Sequence, residues 1–360
     1  MLLARSLRSL RQKVTALARR YTREPAAFHH YPLLQSCAPS ADAARQPCRT
    51  DRDFEVILVD DCSDEAFDDP TEAWRAKGVN LRLFRNPFRQ YTKDTRLNGV
   101  EQARGELITF VDADDLLTDD TTLGLHVAML RETKADLLQF QVESKTEAPM
   151  PHLAEWTKPL GAHLTGARIF EHYVRENFRS HLIYGKIATR ELWQKCLEPA
   201  RASSVRRYQE DLLLCSLLFF HARSYVGSPR IGYTRVWRDK TTQKALGRTA
   251  SIYAMLTEFL PYIASNGASS AIVIEAKGRL QNKLSDYAMI TAATVMLDDD
   301  GARPAPSDDL LVREIVQHCS LESFVKALLT GFPVLRMQAL EMENGDLRQA
   351  LVARTNSLAA

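Results

Sequence analysis

Residues Phe54 to Asp64 read FEVILVDDCSD. Phe54-Glu55-Val56-Ile57-Leu58-Val59 is mostly apolar and rich in β-branched side chains, and it breaks at once into Asp60, Asp61, Cys62, Ser63 and Asp64. Such a run is a strand covered on both faces, ending in a polar loop. Next come Asp69, Pro70 and Glu72, with Gly78 closing the segment. An N-cap acid, a first-turn proline, a capping-box acid and a terminal glycine, in that order, predict a helix over about 70–77.

The pattern then repeats. A strand is expected over Val79 to Phe84, a helix from about Thr92 to Arg104 with Gly105 as terminator, and a strand over Glu106 to Val111. A helix from about Asp119 to Glu132 leads into a fourth strand at Ala135 to Val142. Strand-helix-strand units of this length form right-handed crossovers, so the expected fold is α/β, with a mainly parallel sheet and helices on both faces. In such sheets ligands bind beyond the carboxyl ends of the strands. Two strands end there in acids: Asp60-Asp61, and Asp112-Ala113-Asp114-Asp115.

The whole chain has 360 residues, 45% hydrophobic and 26% charged, which suits about two folded domains and excludes a largely disordered chain. No run approaches the roughly 18 apolar residues that cross a bilayer. Six cysteines without metal-finger spacing make a reducing cytoplasm the default. Seven basic residues precede the first acid, Glu24; removing them from 47 leaves 40 basic against 45 acidic residues. That mildly acidic body argues against a broad nucleic-acid surface. The basic start carries Leu3, Leu7, Leu10, Val14, Leu17 and Tyr21 at helical spacing. It reads as an amphipathic helix for an anionic membrane surface, or one packed on the body or on a second copy. Residues 24–53 read as irregular, with one valine and no isoleucine in the whole of 1–53.

Acids delivered to one sheet edge repel each other unless a cation is present. Oxygen donors without His or Cys favour Mg²⁺ or Mn²⁺, whose remaining positions phosphate oxygens fill. A nucleoside diphosphate is therefore the expected third party. The alternative is that Asp114 or Asp115 only caps the next helix.

FEVILVDDCSD together with Arg96 to Asp115, RLNGVEQARGELITFVDADD, resembles the nucleotide-sugar-binding half of inverting family 2 glycosyltransferases of the GT-A fold. Tyr184-Gly185-Lys186-Ile187 is similar to that family's "WGKLY" segment, and Gln209-Glu210-Asp211-Leu212 to its Glu-Asp motif opening a helix. The resemblance spans about 54–240, between an N-terminal segment of 1–53 and a helical region of 241–360. It implies Asp60 or Asp61 at the nucleobase, Arg96 near the nucleotide, Asp112 on ribose or phosphate, Asp114 on the metal, and Asp211 as general base with Glu210 beside it. First-turn acids that only complement the helix dipole are the alternative for Glu210 and Asp211. Lys186 and His181 face either the acceptor, the pyrophosphate or solvent.

Arg235, Trp237 and Arg238 lie where the family often has Arg-x-His, so arginine is left to cover the diphosphate. The family's opening strand, of the type "VSVIIPVYN", has no counterpart in 1–53. That gap and Trp237 support a rival, a non-catalytic binding or scaffolding relative. A nucleotidyltransferase would need a glycine-rich basic loop, which is absent. Helices are expected around Ile252–Ile263, Ile272–Met296 and Leu310–Leu329, with Asp298 to Asp300 solvated. The expected activity is transfer of a sugar from a nucleoside diphosphate sugar to a saccharide or lipid-linked acceptor, for surface glycans at the inner face of the cell membrane.

Overall fold

The computed structural model describes residues 30–36, 54–63, 69–76, 79–112, 115–119, 122–145, 153–205, 208–236 and 245–297. Its strands are β1 (His30–Ser36), β2 (Phe54–Asp60), β3 (Leu81–Arg85), β4 (Leu107–Phe110), β5 (Leu116–Leu117), β6 (Leu137–Lys145), β7 (His163–Thr165), β8 (Lys186–Thr189) and β9 (Ser224–Val236). The helices are α1 (Thr71–Arg75), α2 (Tyr91–Gln102), α3 (Thr122–Thr133), α4 (Leu153–Thr157), α5 (Ala167–Arg175), α6 (Arg190–Ala202), α7 (Glu210–His221), α8 (Ala245–Ala254), α9 (Leu260–Ser265) and α10 (Ser270–Leu297), with a π-helical turn at Met255–Phe259.

The strands form one mixed sheet in the order β3-β2-β1-β4-β8-β6-β9-β5, with β7 also on β9. The strands β2, β3, β4, β6 and β9 point one way, and β1 and β8 run between them in the opposite direction. Asp60 and Asp112 therefore reach the same sheet edge. Lys186, the first residue of the reversed β8, starts from it.

Both sheet faces are covered. Val56, Leu58, Leu107 and Phe140 share a cluster with Trp74 of α1 and Val127 and Leu130 of α3. On the other face the ring of Phe110 meets Trp193 of α6 edge-on at 5.3 Å. At α1 the N-cap is Pro70 and not the expected Asp69, although the Asp69 carboxylate accepts the Thr71 N–H at 2.8 Å; at α6 the Thr189 hydroxyl caps the helix by accepting the Leu192 N–H at 3.2 Å.

The opening strand is a correction to the reading of 24–53 as irregular. β1 lies centrally, pairing antiparallel with β2 and β4, and His30 stands opposite Asp60. Its sequence, HYPLLQS, has no β-branched residue and carries a proline, so local propensity was silent and the two flanking ladders decide its conformation. Because β1 is antiparallel, Ser36 ends at the edge away from Asp60.

The chain divides into two compact units. One comprises Met1–Thr241 with Ser251–Arg279, where Phe170 of α5 packs edge-on against Phe220 and Phe259 at 5.3 and 6.2 Å. The other comprises Thr242–Ala250 with Leu280–Ala360; there the Arg248 guanidinium lies 5.8 Å from the Tyr287 ring centre. No helix among the described residues is long and apolar enough to cross a membrane. The expected N-terminal amphipathic helix, and a helix at Leu310–Leu329, fall outside those residues.

Candidate active site

Arg96 projects from α2 under the sheet edge and is 3% exposed. One of its terminal nitrogens binds Asp112 Oδ1 at 2.9 Å; the other binds Glu210 Oε1 at 3.3 Å and the Asp211 carboxylate. A single guanidinium thus ties the turn after β4 to the first turn of α7. The planar five-donor fork of arginine suits this, with its two terminal nitrogens turned to carboxylates on two sides.

Glu210 and Asp211 enter from a backbone that bends sharply. Gln209, just before α7, adopts a left-handed φ of 58° and gives no side-chain cap. Glu210 turns back on its own N–H, whereas Asp211 reaches out of its helix to the Ile183 N–H and to Arg96. A residue that only caps a helix would satisfy donors of that helix. Burial pushes both carboxyls above the ordinary carboxylate range; for Glu210 the charge of Asp211 adds to this, and for both the Arg96 guanidinium opposes it.

Tyr233 of β9 is a member that the sequence reading missed. Its hydroxyl accepts the Asp112 N–H at 3.1 Å and donates to Asp115 Oδ2 at 2.6 Å, fixing both ends of the acidic turn. Tyr184 stacks on it at 4.8 Å, and the Arg235 guanidinium lies 5.8 Å from the Tyr184 ring. Only the alternation of β9 marks Tyr233 in the sequence, and alternation does not separate a core tyrosine from a site tyrosine.

Asp60 and Asp61 are engaged from within the fold. Asp60 Oδ1 accepts the Ser63 N–H at 3.1 Å and its hydroxyl at 2.5 Å, and Oδ2 is 3.4 Å from Arg85. Asp61 takes the Asn86 amide at 2.8 Å and the N–H groups of Gln90 and Tyr91 at 2.7 and 2.8 Å. Both are at most 2% exposed. They hold the loop after β2 and the start of α2.

Lys186 is also inside, 4% exposed, with its ammonium donating to the Leu182 carbonyl at 2.5 Å. His181 Nδ1 lies 2.8 Å from the Phe178 carbonyl. Gly185, between Tyr184 and Lys186, has a φ of +82°, and a Cβ there would stand 2.9 Å from Val142 Cγ2. Asp114, Trp237 and Arg238 lie outside the described residues. Among those that are described, no three His, Cys, Asp or Glu groups converge on a point that would hold a metal ion. The donors at this edge are carboxylate oxygens, which suit Mg²⁺ or Mn²⁺ in type, and one such carboxylate suffices where phosphate oxygens fill other positions.

Residues 34–184 match the family described as Glycosyl transferase family 2. No curated protein matches the sequence. In structure the chain is similar to S. aureus TarS 1–349, at 16% identity over 76% of this chain and 71% of that one, with a TM-score of 0.46. It is also similar to the mannosyltransferase PcManGT from Pyrobaculum calidifontis, in complex with GDP-Man and Mn²⁺, at 15% identity over 92% and 96% of the two chains and a TM-score of 0.41.

Proposed function

We propose, from the match of residues 34–184 to the family described as Glycosyl transferase family 2, an inverting transfer of a sugar from a nucleoside diphosphate sugar to a saccharide or lipid-linked acceptor. The observation that carries this reading is the convergence on Arg96 of Asp112, from one strand end, and of Glu210 and Asp211, from a segment more than a hundred residues away.

Inversion needs a carboxylate that takes the acceptor hydroxyl's proton while the diphosphate leaves from the opposite face of the sugar. Asp211 is that base. Its raised proton affinity brings it nearer the operating pH, where a base works best, and Glu210 shares the charge of the site. Asp112 holds ribose or phosphate, and Arg96 keeps it in place. Arg235 and Arg238 meet the diphosphate. Asp114 would hold a divalent cation, Mg²⁺ or Mn²⁺, which would supply positive charge to the diphosphate. Asp60 and Asp61 act at the nucleobase by shaping the loop after β2. The basic stripe of residues 1–23 attaches the enzyme to an anionic membrane face, where surface-glycan acceptors are elongated. A scaffolding relative drew its support from a lost opening strand and from Trp237; β1 occupies the place between β2 and β4 and weakens the first, while Trp237 lies outside the described residues.

The test is Asp211→Asn, assayed with UDP-N-acetylglucosamine and GDP-mannose as donors against a panel of saccharide acceptors with Mn²⁺. Donor binding persists and transfer falls by about 10²-fold or more. Undiminished transfer in the variant removes Asp211 from the mechanism; donor binding by wild type without any transfer restores the scaffolding reading.

A further inference from the structure

The Leu182–Ile183 peptide is held at both ends. Its carbonyl accepts the Lys186 ammonium at 2.5 Å, and its N–H is directed to the Asp211 carboxylate. In a trans peptide the two groups point in opposite directions, so fixing the carbonyl fixes the aim of the N–H. We propose that Lys186 is a positioning residue for Asp211, acting through this one peptide to present a donor to the carboxylate. The inference rests on the reading of Asp211 as the base, and it gives Lys186 a role other than contact with acceptor or diphosphate.

The surroundings fit. The residue preceding Lys186 is Gly185, whose left-handed backbone brings the chain from the 182–183 peptide round into β8. Ile183 is fully buried, so water does not compete for its N–H. The Lys186 ammonium also meets the Cys215 thiol of α7 and lies 5.7 Å from the Phe219 ring centre. Asp211 is faced by Arg96 from α2, by Asp112 after β4, by Lys186 from β8, and by Tyr173 and Tyr184 from α5 and the 178–185 loop, with Glu210 and Cys215 on its own helix. Burial lowers the proton affinity of the ammonium, and Cys215 and Asp211 oppose that. A buried ammonium whose protons go to a carbonyl and a thiol, beside a carboxylate, serves orientation before charge.

The experiment titrates the full-length chain, isotope-labelled at aspartate carboxyl carbons and isoleucine amides, by magnetic resonance. Asp211 is assigned by the signal missing in Asp211→Asn, and Ile183 by the one missing in Ile183→Leu. In wild type the Ile183 amide shift follows the Asp211 midpoint. In Lys186→Met that midpoint rises by about one pH unit or more, the Ile183 amide stops following it, and the acid limb of the transfer profile moves to higher pH. An unmoved midpoint overturns the proposal. So does a moved midpoint with Ile183 still following, which is the effect of a nearby charge alone. Should Lys186→Met fail to fold, wild type decides: the Leu182 carbonyl carbon, labelled in turn, must follow the Lys186 titration while Ile183 follows Asp211, and failure of either overturns the peptide link. Transfer that survives Asp211→Asn would instead remove Asp211 as base and leave this titration standing.

Discussion

Replacing Arg96 by methionine tests the central electrostatic argument. Methionine keeps much of the length and packing of the side chain and removes five donors and the charge. Arg96 is 3% exposed, while the side chains of Asp112, Glu210 and Asp211 are 21%, 13% and 17% exposed. Removing one partner of a buried ion pair costs about 3–5 kcal/mol. The carboxylates keep some water, so the lower end applies, about 3 kcal/mol near neutral pH. For a domain of this size that corresponds to a fall in Tm of about 6–12 °C. The loss depends on pH in a definite direction. Arg96 opposes the burial that raises Glu210 and Asp211, so without it both rise further. The penalty falls on their charged forms; it is absent below the unfolded carboxylate values and grows as pH rises through the raised ones. Glu210 is raised to about 8, so thermal unfolding of wild type and Arg96→Met at about pH 5 and pH 9 checks this. A drop under about 2 °C at both, or an equal drop at both, refutes the three-carboxylate account.

Glu210→Gln removes a carboxyl whose proton affinity is raised, so its Tm relative to wild type moves in the variant's favour as pH rises; parallel curves contradict the burial argument. Gly185→Ala forces a side chain into a left-handed backbone 2.9 Å from Val142 Cγ2 and loses about 1–3 kcal/mol in a denaturant melt. Deleting residues 1–23 removes seven positive charges, each worth about 1 kcal/mol beside an anionic surface, and shifts the chain from sedimenting anionic vesicles into the supernatant. Equal sedimentation of both forms favours packing of that helix on the protein.

The elements legible in the sequence were those with a local cause. Phe54–Asp60, Leu81–Arg85 and Leu107–Phe110 announced themselves as apolar runs punctuated by Gly105, Pro70 and the acidic turns. β1 escaped because nothing in HYPLLQS favours a strand until two neighbours pair with it. The site divides in the same way. The acids at the strand ends and Glu210-Asp211 were visible as residue types at known spacing. Their partners were not: Ser63 and Asn86 returning onto Asp60 and Asp61, Tyr233 bridging Asp112 and Asp115, and the inward course of Lys186 arise only from tertiary packing. Arg96 stood out as a residue near the nucleotide, while its place among three carboxylates depends on where α7 docks.

That docking sets when the site comes into being during folding. The contacts that define it span 115 residues from Arg96 to Asp211, 118 from Asp115 to Tyr233 and 121 from Asp112 to Tyr233. Closing loops of that length is entropically unfavourable until most of the sheet exists, and such contacts form late. A chain emerging from the ribosome with β2, β3 and β4 already made still lacks Asp211 and the tyrosine that sets the acidic turn. Closure of the cluster around Arg96 is thus a marker of completed folding for this chain.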